Sequence, residues 1–190
     1  MTSSVTAQDV LGFWFQGDPD IWRTDPWFRK SDAFDATIRD RFALAVTAAQ
    51  DGVLDGWTAT PDGTLALLLV LDQFARNIHR GSHLSFAGDA HARHIARVAI
   101  DGLIEATLTP VQRVFVYLPF EHSEDMADQD LSVRLFESLP PAGWRDGVVD
   151  YAHRHRDVIR EFGRFPHRNA ALGRASTPAE EVWLAAGGGF

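Results

Sequence analysis

Apolar residues along this chain recur with a period near 3.6, and no segment shows sustained alternation with β-branched enrichment. The pattern predicts helices throughout. Thr6 with Asp9 opens an apolar stretch over Val10–Phe15. Ser31 opens a helix to about Asp51, ended by Gly52, with Phe34, Ile38, Phe42 and Ala45 on one stripe. Thr60-Pro61 is an N-cap followed by proline at the first helical position, and starts a helix to about Asn77; Thr109-Pro110 and Thr177-Pro178 repeat that device. Further helices are predicted over Phe86–Leu103, from Pro110 to Glu121, over about Asp125–Ser138 and over Arg145–Phe162, the last stopped by Gly163. Leu65–Leu71 is apolar on every side, which marks a central buried helix. The expectation is an all-α protein. About eight or nine helices would pack as antiparallel pairs, in a tetratricopeptide-like α-α superhelix or a bundle, although no 34-residue self-similarity is visible. One domain over 1–190 is expected, with 187–190 as a frayed glycine-rich tail.

Composition supports a packed core and removes several chemistries. Of the 190 residues 45% are apolar and 21 are aromatic. Cysteine is absent, which excludes disulfides, thiol nucleophiles and cysteine-based metal sites. A net charge of −8 argues against general nucleic-acid binding. The longest apolar stretch, Leu65–Leu71, is too short to span a bilayer, so no membrane partner is expected. MTSSVTAQDV lacks the features of a signal peptide, and a soluble cytoplasmic protein is the default expectation. Charge is unevenly spread: Arg145–Arg174 carries seven arginines against four acids, a local +3 in an otherwise acidic chain. That block either docks on acidic residues of its own chain or forms an anion site.

No glycine-rich nucleotide loop, nucleophile elbow, H-E-x-x-H or calcium loop is present. The remaining candidates are polar residues on apolar helix faces. With about 100° between successive helical residues, Val148, Tyr151, Ala152, Val158, Ile159 and Phe162 all fall within about 60° of His155, and His153 lies about 160° away. His155 is therefore predicted inside and His153 on the surface. His155 is then a core histidine or part of a buried site. In the helix from Pro110, the face of Val111, Val114, Phe115 and Leu118 continues into Glu121, His122 and Asp125. In the central helix Asp72, Gln73 and Arg76 share the face of Leu65 and Leu69, with Asn77 close by. These four also fit an Asp72–Arg76 pair with helix capping. If successive helices alternate in direction, these polar ends converge and the loop Arg164–Asn169 returns to them, bringing Arg164, His167, Arg168 and Asn169. Polar groups buried without partners cost roughly 1–3 kcal/mol each, which a shared pocket would relieve.

At these positions the strings VLGFWF, LDQFARN, YLPFEHSED, HRDVIREFGRFPHRN and LGRASTPAEE resemble the bacterial domain-of-unknown-function family number 924, over about residues 10–184. The resemblance implies an all-α, tetratricopeptide-like fold and implies no activity. Ala75 stands where that family commonly has proline, so the central helix is expected to end less sharply.

Two functional readings remain open. In the first, a buried pocket binds a small polar or anionic ligand. His155 or His122 serves as general base, Glu121 or Asp125 orients it, and Arg76, Arg164 and Arg168 grip the anion. Glu121, His122, Asp125, His155 and His167 also offer nitrogen and oxygen donors to a metal, but their spacing matches no metal signature; no metal set is assigned and the cofactor is left unspecified. In the second reading the protein is a non-enzymatic module whose helical-repeat-like groove binds a peptide or protein partner; the aromatic segment Trp14, Phe15, Trp22, Trp27 and Phe28 either caps the core or, if exposed, forms a partner or dimer surface.

Overall fold

A computed structural model describes residues 5–190, and Met1–Ser4 of the N-terminal stretch read above lie outside the described residues. The described chain is all-α, with no strand among the described residues. In chain order the α-helices are α1 (Ala7–Phe15), α2 (Thr24–Trp27), α3 (Asp32–Gln50), α4 (Pro61–Leu68), α5 (Ala75–Ile78), α6 (Asp89–Asp101), α7 (Pro110–Glu121), α8 (Met126–Glu137), α9 (Arg145–Phe162) and α10 (Pro178–Ala185). No helix among them is long and apolar enough to cross a membrane. The chain divides into two compact units. One holds the described residues up to Arg80 together with Leu84–Pro119, and the other holds Gly81–His83 and Phe120–Phe190.

The caps form where the sequence places them. Thr6 and Asp9 make a reciprocal capping box on α1, Ser31 caps α3, and Thr60 accepts from the Gly63 amide at the start of α4. In the first unit the central segment from Thr64 to Ala75 is buried at every position. Between α4 and α5 it passes through a π-helical turn, Leu69–Phe74. No signal in the sequence marks this wide turn. The carbonyl of Leu71 is met by Gly88, where an added Cβ would lie 2.7 Å from that oxygen. The helix then continues to Ile78, consistent with alanine at position 75.

The aromatic N-terminal segment is mostly core. Trp14, Phe15 and Trp27 are buried, and Trp14 packs against Trp27, Phe74 and Phe115 with ring centroids 5.5–6.0 Å apart. The Trp27 indole donates to the Trp14 carbonyl at 3.0 Å. Phe28 remains half-exposed. A surface role for the whole segment is thus not what these residues do; most of their apolar area packs the first unit.

In the second unit α8 and α9 pack against each other, and Val158, Ile159 and Phe165 form a cluster with Met126, Phe162 and Trp183 around them. Gly163 caps α9 at φ 69°, a left-handed conformation that glycine adopts without strain. Arg164 then bridges to α10, its Nε 2.6 Å and its Nη2 2.8 Å from the two carboxylate oxygens of Glu180. Glu180 also accepts from the Thr177 amide in a capping box. The Arg164 side chain and this amide hold Glu180 down to about 2, against an ordinary 4.5. A carboxylate lowered on folding contributes stability above its unfolded value and loses it as pH falls through the folded one. The stability gap between wild type and Glu180→Gln should therefore be full above about pH 4.5 and close progressively towards about pH 2. Denaturant melts at stepped pH measure it; a gap independent of pH would refute the assignment.

Candidate functional site

The last turn of α7 carries two of the site's residues. Pro119 lies inside this helix and lacks an N–H, so the bond back to the Phe115 carbonyl is missing. Glu121 ends the helix and His122 begins the turn beyond it. That turn is held by Gln129 of α8, fully buried, whose Nε2 donates to the carbonyls of Glu121 and Ser123, both at 2.7 Å. His155 comes from the inward face of α9.

These three side chains meet. Glu121 Oε1 lies 3.4 Å from His155 Nδ1, and the rings of His122 and His155 have centroids 6.1 Å apart. Glu121, His122 and His155 each offer one donor atom, and the three atoms lie within 4.8 Å of one another. Glu121 is 4% and His155 5% exposed. The Tyr151 carbonyl, 2.9 Å from His155 Nδ1, can only accept, so Nδ1 carries the proton and Nε2 the lone pair. Burial, with His122 and then Arg168 adding positive charge, pushes the His155 imidazole well below its ordinary range. The imidazole is neutral at neutral pH. Burial and the adjoining Arg168 likewise push His167 down to about 4, and its Nδ1 is buried without a hydrogen-bond partner.

An aromatic sleeve encloses His155. Phe165 meets it edge-on at 5.6 Å and Phe190 stacks on it at 3.6 Å. Phe190 also approaches Phe165 and His167, with centroids at 6.0 and 5.7 Å. The tail expected to fray thus sets an aromatic ring on the imidazole, and that ring is itself 48% exposed. Beside it lies a hollow of about 320 Å³ between α9 and the tail, lined by Tyr151, Arg154, Val158 and Gly187–Phe190 among others; Glu121, His122 and His155 do not line it.

His153, predicted on the surface, has 38% of its side chain exposed and faces Glu137 at 3.2 Å. The contrast with His155 follows the helical phase, but the face is narrower than projected. Tyr151, placed by angle on the inward stripe, is half-exposed. Side chains lean towards the helix N-terminus, so a residue at the stripe's edge can swing outward.

The other sequence candidates sort by partner. Asp125 caps α8, accepting from the Ala127 and Asp128 amides. Arg164 is engaged by Glu180, and Asn169 binds Ser176 and Glu180 while accepting from Arg174. Arg168 is buried, its guanidinium 4.4 Å from the Phe165 ring centre. Asp72, Gln73, Arg76 and Asn77 belong to the first unit and bond within it. Arg76 joins Asp72 and Asp89, Gln73 donates to Asp72, and Asn77 donates to Asp35. Sequence reading missed Gln129, Glu124 and Phe190. Glu124 pairs with both terminal nitrogens of Arg174 and accepts from the Phe165 amide. Only Glu124 left a trace, as an acid in the same string as Glu121 and His122. Gln129 sits on an ordinary helix face, and Phe190 follows three glycines.

An all-helical protein with a buried carboxylate–imidazole cluster is the class that this fold and site define. The chain belongs to the family described as bacterial protein of unknown function, DUF924, whose family model matches residues 10–188. It is similar to the solved structure of a protein of unknown function, ATU0120, from Agrobacterium tumefaciens. The identity is 41% over 94% of this chain and 96% of that one, with a TM-score of 0.84. Comparison with curated proteins gave no match.

Proposed function

We propose that the second unit binds a small polar or anionic ligand at His155 and moves a proton to or from it. The observation that carries this reading is the contact of Glu121 with His155 at 3.4 Å, both side chains buried. A carboxylate and a carbonyl on the Nδ1 side orient the ring and leave Nε2 as a base, the arrangement general-base histidines use. The buried guanidinium of Arg168 favours an anionic group. Access to the ring runs past Phe190, whose half-exposed side chain hangs on a glycine-rich tail. The burial of Trp14, Phe15 and Trp27 in the first unit removes the main support for the peptide-binding alternative.

The test is a thermal-shift and native mass-spectrometric screen with small carboxylates, phosphates and polar metabolites. A hit should be lost in His155→Gln and kept in His153→Gln. Phe190→Ala should raise the rate at which diethylpyrocarbonate acylates His155, read by peptide mapping. A hit insensitive to His155→Gln would refute the reading, and an unchanged acylation rate would refute the access route.

A further inference from the structure

We infer that Glu121, His122 and His155 form a binding site for one divalent d-block cation, zinc or cobalt by donor chemistry. The inference rests on the proposed function for the location of the ligand and puts coordination by His155 in place of proton transfer, since a metal-bound ring nitrogen is no longer a base. One carboxylate oxygen and two imidazole nitrogens are the donor set of three-ligand zinc sites that keep a fourth position open. In such a site, with bonds of roughly 2.0–2.2 Å, tetrahedral geometry puts neighbouring donor atoms about 3.3–3.5 Å apart. Here all three donor atoms lie within 4.8 Å of one another, so closure by about an ångström completes the triangle. A ring nitrogen lone pair that can take a proton can take a metal instead.

The surroundings fit the same occupant. The Tyr151 carbonyl accepts from His155 Nδ1, a contact of the kind that orients metal-bound histidines, and so fixes the ring. Gln129 fixes the turn carrying Glu121 and His122 by donating to the backbone carbonyls of Glu121 and Ser123 on either side of His122. Phe165 and Phe190 wall the site with apolar surface. Nitrogen donors favour zinc or cobalt over magnesium and calcium, which take oxygen. With a single carboxylate, a divalent ion leaves the centre at net +1. That residual charge, beside Arg168, calls for an anion in the open position, so the ligand class becomes a small carboxylate or phosphate bound through oxygen.

The experiment uses the full chain after chelator dialysis, titrated with cobalt alone and followed by its visible d–d absorption, with zinc as competitor. One cobalt per chain with the strong absorption of a four-coordinate site is expected, displaced by zinc and untouched by magnesium. Removing outer-sphere partners alone weakens metal sites roughly 10–100-fold, so His122→Gln and Glu121→Gln should lose about 100-fold or more, and His153→Gln nothing. His122 is the less buried ligand, so its variant serves if His155 variants fail to fold. Absence of stoichiometric binding, or binding unchanged in both His122→Gln and Glu121→Gln, would overturn the inference. A screen of the same carboxylates and phosphates with and without zinc separates the two proposals. Hits dependent on His155 in the absence of any metal binding sink the metal site and keep the ligand site. Metal binding with no hit in either state does the reverse.

Discussion

Arg76→Met should lower the unfolding free energy by roughly 3–5 kcal/mol, the range for removing one partner from a buried ion pair. Arg76 Nη1 lies 2.9 Å from Asp72 and 2.9 Å from Asp89, and Nη2 reaches the other Asp89 oxygen at 3.0 Å. The Asp72 side chain is 3% exposed and that of Asp89 11%. Methionine fills much of the arginine's volume but removes the guanidinium that both buried carboxylates bind. Urea unfolding curves measure the loss. Adding Asp72→Asn and Asp89→Asn to Arg76→Met should recover part of it, because the uncompensated charge, rather than the absent bond, is the larger cost. A loss below about 1 kcal/mol in the single variant would mean that water already solvates this network.

Gln129→Met should cost roughly 2–4 kcal/mol, from two buried carbonyl acceptors left unpaired at about 1–2 kcal/mol each. The acceptors are those of Glu121 and Ser123, on either side of His122. The substitution therefore also frees the turn that presents the cluster. Its signature is double: a lower midpoint in urea, and loss of whatever binds at His155 under conditions where the variant is still folded. Gln129→Glu restores the shape and the acceptors but not the donor, so it should not rescue. A variant that loses stability while binding with wild-type affinity would show that Gln129 supports the fold alone.

Much of the fold was legible because its determinants are local. Thr6, Ser31, Thr60 and Thr177 each accept from the amide of the residue three positions on, and hydrophobic phase then orients the helix. The same logic put His155 inside and His153 outward. It also brought Glu121 and His122 to the inward end of α7, because a helix end inherits the phase of its body. Local signals left two uses open for the same side-chain chemistry, and the structure shows the structural one. Asp125, offered as an orienting group, caps α8, and Arg164, offered to an anion, together with Asn169 ties the loop after α9 to Glu180 of α10.

By itself, then, the sequence determined the helical class, the helix starts and the inward faces, since these depend on contacts within four residues along the chain. Tertiary structure alone decided which polar residues share a neighbourhood. The contact of Glu121 with His155 spans 34 positions, Arg174 finds Glu124 across 50, and Phe190 reaches back to stack on His155. The close approach of Gly88 to the Leu71 carbonyl, within the π-helical turn Leu69–Phe74, belongs to the same category, since it exists only once α6 has packed on the central segment. A buried polar group must find its partner wherever packing has brought one, and that partner is specified by the three-dimensional fit of apolar faces rather than by spacing along the chain.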